Sequence, residues 1–112
     1  MEIIDWQHFQ QVQMQVGTII TAEDFPEAKQ PAYKLQIDFG PELGVKKSSA
    51  QITKRYRSEE LIGKQIIAVV NFPPKQIANV MSECLVLGAV DASGDVILLQ
   101  PEAKVANGLR IA

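Results

Sequence analysis

Apolar and polar positions alternate most cleanly over Tyr33-Lys34-Leu35-Gln36-Ile37-Asp38-Phe39, which predicts a strand with one face buried and the other wet. Val12 to Ala22 carries the same period less evenly, with Val12, Met14, Val16 and then Thr18 or Ile20 on one side. Gly17 in its middle suggests a bend, as needed where a strand curls around a barrel. Val45 to Thr53 reads as a third, more polar strand. Ile66–Val70 and Cys84–Ala89 are short apolar runs rich in branched side chains, the pattern of core strands. Between them the adjacent Pro73 and Pro74 forbid regular pairing and predict an irregular connection over 71–77. Val96–Leu99 pairs after a turn at Asp91–Asp95, and the Pro101–Ala112 tail carries a late turn at Asn107-Gly108.

Helical signals are brief. Asp5 is placed to cap a helix over Trp6–Gln11, too short to stand alone. Ser58 is placed to cap a single turn with Glu59 and Glu60 at its positive end, and Gly63 marks its stop. Three strands, a one-turn helix and two more strands is the order of a five-stranded barrel. The expected fold is therefore all-β: an OB-fold barrel with a short helix between strands 3 and 4, an N-terminal helix and a C-terminal extension. The boundaries fall at about 1–11 for the helix, 12–100 for the barrel and 101–112 for the tail, within one domain over 1–112.

Composition narrows the chemistry. A chain of 112 residues and 12.4 kDa has room for one core, and 46% hydrophobic with 21% charged residues excludes disorder. One cysteine, Cys84, forms no internal disulfide and suits a reducing compartment. No run approaches a membrane span, and the acidic opening Met1-Glu2-Ile3-Ile4-Asp5 lacks a basic signal-peptide region, so a cytoplasmic protein without membrane insertion is expected.

Net charge is −2, which argues mildly against a ligand held by its phosphates. The charge is uneven, however. Lys46, Lys47, Lys54, Arg55 and Arg57 lie in a segment without an acid, and Tyr56 among them is available to stack a base. Their alternative is a solvated strand face. In the 71–77 loop, Phe72 between Asn71 and Pro73-Pro74 makes an apolar lip for a peptide side chain, and Asn71 and Gln76 are suited to peptide backbone, with Ile77 closing the set.

No catalytic set is visible. His8 is the single histidine, on a glutamine-rich helix, and Cys84 lies inside an apolar run. Ser82 and Glu83 are adjacent on a strand and so face opposite ways. One His and one Cys make no metal site, and there is no glycine-rich phosphate loop. A protein that is not an enzyme and uses no cofactor or metal is expected. Trp6 and Phe9 with Pro101 and Leu109 in the tail either cover the barrel's ends or form a two-fold interface.

Longer blocks carry a resemblance. Ala22-Glu23-Asp24-Phe25-Pro26-Glu27-Ala28-Lys29, Pro31 to Leu35, Ile37 to Gly40, Lys46 to Thr53 and Val69 to Pro74 resemble the CsaA family of export-related chaperones, essentially end to end. That family looks like part of the tRNA-binding OB domains appended to some methionyl- and phenylalanyl-tRNA synthetases. Asn71 to Lys75, Ile77 and Ser82-Glu83 are the shared part. The chain departs from the synthetase-appended pattern at Phe25, where a His is usual, and at Cys84-Leu85, where Gly-Met is common. The resemblance implies a homodimer that binds unfolded or precursor polypeptides through Asn71 to Pro74, Gln76 and Ile77, and that works with the translocation motor SecA. It keeps tRNA as the alternative ligand, with Lys75, Ser82 and Glu83 added to the basic segment.

Overall fold

The alternating pattern at residues 33–39 folds as its period requires. In the computed structural model, which describes residues 1–112, β2 (Tyr33–Asp38) buries Tyr33, Leu35 and Ile37 and turns Lys34, Gln36 and Asp38 to the other side. It pairs antiparallel with β1 (Met14–Asp24) on one edge and with β3 (Val45–Ala50) on the other. At eleven residues β1 is long enough to serve two partners. Its second half runs along β2, and its first half pairs with β4 (Gln65–Val69), from Met14 opposite Val69 to Thr18 opposite Gln65.

The bend in β1 lies elsewhere than expected. Register slips between Ile19 and Thr21, so the bulge is at Ile20. The extra residue switches faces: Ile19 is wholly buried and Ile20 is 40% exposed, which removes Ile20 from the inward set. Gly17 has a different task. A Cβ there would sit 2.6 Å from Ile37 Cγ2 and 2.8 Å from the Phe39 ring, so glycine lets β2 and its continuation pack against β1.

β3 stops at Ala50, short of Thr53. The one-turn helix α2 (Ser58–Leu61) follows, and Leu61 is fully buried in the core. Its N-cap is Arg57 rather than Ser58; the Arg57 N–H donates to the Glu60 carboxylate at 2.7 Å. After β4 the expectation of an irregular loop fails. Pro73 and Pro74 disturb only the approach, and β5 (Lys75–Ile77) then pairs with β6 (Val80–Ser82) through a tight tip, with Ala78 at φ +50°. The run Cys84–Ala89 is two strands, not one. β7 (Leu85–Val86) pairs with β4, and β8 (Gly88–Val90) pairs with β9 (Val96–Leu98).

The main sheet has the order β3-β2-β1-β4-β7. It curls until Ser82–Cys84 meets β3, where the Glu83 N–H donates to the Lys47 carbonyl at 2.8 Å and the Ser48 hydroxyl to the Cys84 carbonyl at 2.9 Å. The result is a nearly closed five-stranded antiparallel barrel, the OB-fold. Its core includes Ile19, Leu35, Ile37, Phe39, Leu61 and Ile66, all at most 1% exposed. Truncating one of these to Ala costs roughly 2–5 kcal/mol.

The chain ends lie together. Tail residues Gly108, Leu109 and Ile111 bond to Val16 and Met14 at the start of β1. α1 (Trp6–Gln11) buries none of its residues; Trp6 and Phe9 stack on each other with centroids 5.1 Å apart. His8 Nδ1 accepts the Asp5 N–H at 3.2 Å and so closes this helix's first turn.

Candidate ligand-binding track

Three depressions follow one another along β3 and the loop that continues it. The first, about 150 Å³, is lined by Thr21, Glu23, Lys34, Gln36 and Lys47, with Val80 of β6 reaching over it. The second, about 520 Å³, opens between the 27–30 loop and the hairpin tip Gln76-Ile77-Ala78, with Ser49 and Gln51 between them. The third, about 180 Å³, is bounded by Thr53, Lys54, Arg55 and Asp95. Lys34 of the first stands opposite Ser49 of the second across the β2–β3 pair, and Gln30 and Gln51 line both the second and the third. The three make one track.

Both walls have identifiable supports. The Phe25 N–H donates to the Ala32 carbonyl at 3.1 Å, closing the 25–32 loop, and the Phe25 ring is buried at 3% exposure. Lys34 Nζ stands 5.6 Å from that ring's centroid, a cation–π contact at the edge of the first depression. On the other wall the hairpin is fastened at its base. The Lys47 N–H donates to Glu83 Oε1 at 2.9 Å, beside the return bond from Glu83, and the Ser49 N–H reaches Ser82 Oγ at 3.3 Å. Beyond Ser82 the tip stands away from β3, and Gln76 Nε2 donates to the Ala78 carbonyl at 3.2 Å.

The track is more cationic than the chain. Lys29, Lys34, Lys47, Lys54 and Arg55 line it against Glu23, Glu27 and Asp95, although the whole chain carries −2. The central depression is neutral, with Glu27 and Lys29 together at one wall and Gln30, Gln51 and Gln76 around it. Cys84 does not line it. That cysteine is buried, its thiol pushed up to about 11 chiefly by that burial; the Ser48 hydrogen bond is the next largest effect and opposes it, with smaller contributions upward from the Glu83 charge and downward from Lys46.

The sequence-derived residues divide over this geometry. Gln76 and Ile77 line the central groove; Phe72, Pro73 and Pro74 are exposed outside the track's lining, Phe72 at 52%. Asn71 is engaged outside the track, beside the start of β1. Its amide donates to the Gln11 carbonyl at 2.8 Å and accepts the Gln13 N–H at 2.9 Å, clamping the exit of α1. Lys47, Lys54 and Arg55 lie on the track. Lys46 shares its strand face with buried Ser48 and Ala50, and Arg57 pairs with Glu59 at 3.7 Å on the surface. Tyr56 is not free to stack on a base: it packs against the core, its hydroxyl accepts the Leu98 N–H at 3.0 Å, and its carbonyl accepts the Tyr33 hydroxyl. Lys75 is exposed at the start of β5, while Ser82 and Glu83 serve as the hairpin's fastening. Trp6 and Phe9 border a depression with Arg110 and Ile111; Pro101 borders a separate one with Gly63 and Lys64, and Leu109 is 49% exposed.

Sequence reasoning missed Lys29, Gln30, Lys34, Ser49, Gln51 and Val80. Gln36 was missed as well; Lys34, Gln36 and Ser49 were recoverable from alternation, because with the predicted Lys47 they are the outward positions of the two strands that an OB-fold uses as its binding face.

An OB barrel with a polar, partly cationic track between its first long loop and a late hairpin defines a class of ligand-binding protein. The family model described as "Putative tRNA binding domain" matches residues 14–110, and the chain belongs to that family. Within it, the chain is similar to the crystal structure of the chaperone CsaA from Bacillus anthracis, at 54% identity and a TM-score of 0.94, covering 99% of this chain and 100% of that one. The CsaA chaperone protein from Picrophilus torridus matches at 54% identity and 0.92, covering 98% and 100%. A methionyl-tRNA synthetase related protein from Pyrococcus horikoshii matches at 33% identity and 0.89, covering both chains in full. The methionine–tRNA ligase of Porphyromonas gingivalis is 34% identical over 98% of this chain and 16% of its own length. The chain thus spans about a sixth of the ligase it matches. No helix is long and apolar enough to cross a membrane.

Proposed function

We propose that this chain is a polypeptide-binding chaperone whose track holds exposed segments of secretory precursors, and that it supports Sec-dependent export from the cytoplasm. The observation that carries this reading is the central groove. It is about 520 Å³, within the roughly 300–1,000 Å³ of ligand pockets, and combines amide and hydroxyl groups with Ala28, Ala32, Ile77 and Ala78. Such a lining offers hydrogen bonds and modest apolar contact without demanding one side chain, which suits a binder of many clients. The likeness to the CsaA chaperones over almost the whole chain supports it. In this reading the protein binds and releases without catalysis or cofactor, SecA is the expected recipient, and a homodimer forms through the apolar surface of Trp6 and Phe9. Two tracks on one dimer increase avidity for a long flexible client.

A second reading is favoured by the family match and by the five cations on the track: the same surface binds tRNA by its shape. One experiment separates them. Purified protein is titrated with a reduced, carboxymethylated polypeptide and with tRNA, in competition and across a salt series. The chaperone reading expects polypeptide binding that persists at high salt. The tRNA reading expects a log–log salt slope of about −4 for five engaged phosphates and loss of affinity on Lys47→Glu or Arg55→Glu. Absence of polypeptide binding at any salt rejects the first reading.

A further inference from the structure

The central groove has a wall of unpaired main chain. In an antiparallel strand the N–H and C=O of one residue point to the same side. Lys47 uses both groups to hold Glu83, and the Ser49 N–H follows toward Ser82, so this is the edge of β3 that faces away from β2. Beyond that point the hairpin leaves the edge. The Ser49 carbonyl and both backbone groups of Gln51 have no hydrogen-bond partner, and both residues line the groove. Three main-chain groups, one on Ser49 near the end of β3 and two on Gln51 just past it, are thus offered to whatever enters.

We infer that a client enters this groove as an added β-strand, pairing its backbone with Ser49 and Gln51; this rests on the polypeptide-binding reading above. Main-chain pairing gives affinity that does not depend on sequence. The walls restrict who can pair. The groove is flanked by the 27–30 loop on one side and the hairpin tip on the other, so a single extended chain should fit between them more readily than the edge of a folded sheet. Two of the three unpaired groups are carbonyls, which attract amide N–H and repel a phosphodiester backbone. Charge sets the flanks: the groove is neutral at its centre, with Lys34 and Lys47 against Glu23 at one end and Lys54 and Arg55 against Asp95 at the other. The strand that fits has an uncharged centre of about three residues and acidic residues on either side.

The test uses a fluorescein-labelled heptapeptide with a Val-Thr-Val centre and two glutamates on each side, read by anisotropy. Its counterpart, N-methylated at the three central amides, keeps every side chain. A loss of about tenfold on methylation is expected, the worth of one or two hydrogen bonds. Gln51→Pro removes the N–H from the wall and should lose a similar factor, whereas Gln51→Ala, which keeps the N–H and trims only one polar side-chain contact, should lose no more than about threefold. Equal affinity for the two peptides overturns added-strand binding while leaving polypeptide binding intact. If neither peptide nor carboxymethylated polypeptide binds, the underlying reading fails and the inference with it. Should Gln51→Pro not fold, the methylated peptide decides alone. Displacement of the peptide by a single-stranded oligonucleotide, together with indifference to methylation, assigns the track to nucleic acid and overturns the inference.

Discussion

The C-terminal tail and the β5–β6 hairpin are both additions to the five-stranded barrel, yet they are attached in opposite ways. The tail is sewn along its length. Gly108 and Val16, Val16 and Leu109, and Ile111 and Met14 are linked by backbone bonds of 2.7 to 3.0 Å. The Gln65 side chain both donates to and accepts from Val105, and Asn107 Oδ1 accepts from Thr18 and Gln65. The hairpin is sewn only at its base, by Ser82, Glu83 and Cys84 to β3, and its tip leaves β3 main chain uncovered. Where backbone groups are satisfied internally, the segment is structure. Where they are left open beside a groove, the same barrel edge becomes available to a ligand.

Breaking the sewn side should cost most. Gly108 has φ +92°, and a Cβ there would lie 2.6 Å from the Phe39 carbonyl oxygen, so Gly108→Ala combines left-handed strain with a collision against backbone. The expected loss is about 3 kcal/mol in urea unfolding. An unchanged midpoint would mean that the tail is not held as described.

The base of the hairpin can be examined through pH. The folded Cys84 thiol is held at about 11, above its ordinary value of 9.0, by burial. The unfolded chain therefore releases this proton first, and stability falls as pH rises from about 9 through 11 before levelling. The loss is on the order of 2 kcal/mol. Tyr33, whose pKa is raised first by burial and then by Asp24, Glu59 and Glu60, adds a loss of the same sign at higher pH. Cys84→Ala should flatten the first limb and leave the second, as measured by unfolding at stepped pH. Gln65→Ala comes next: removing three bonds to the tail should cost about 1.5 kcal/mol and speed amide exchange at Val105 without affecting the groove.

Legibility in the sequence followed the two-sidedness of each element. β2 was readable because one face is buried and the other wet, so its alternation is complete. The bulge at Ile20 was not, because Ile19 and Ile20 are both apolar and nothing marks which one is turned out. The hairpin was hidden by Pro73 and Pro74, which suggest irregular chain, and by a tip that places Ala78 rather than glycine at positive φ. The OB barrel itself was legible from strand order and from blocks shared with the CsaA family. The track was only half legible. Five cations close together in sequence suggested one face, but Lys46 and Lys47 point to opposite sides of β3, and Arg57 caps α2 and pairs with Glu59. Lys29 and Lys34, far from that segment in sequence, reach the same track through the fold.

The smallest expected effect tests the open side of the comparison most directly. Gln76 is exposed, its amide bonds only within the hairpin to the Ala78 carbonyl, and it lines the central groove. Gln76→Ala should change unfolding free energy by less than about 0.5 kcal/mol, as surface substitutions away from special features do. It should still weaken the labelled heptapeptide about threefold through loss of one adaptable polar contact at the groove's wall. A stability loss above about 1 kcal/mol would show that the tip is braced as firmly as the tail, in which case the groove beside it is packing. Unchanged stability with weakened peptide binding would separate the two attachments energetically: the tail as part of the fold, the hairpin tip as part of the site.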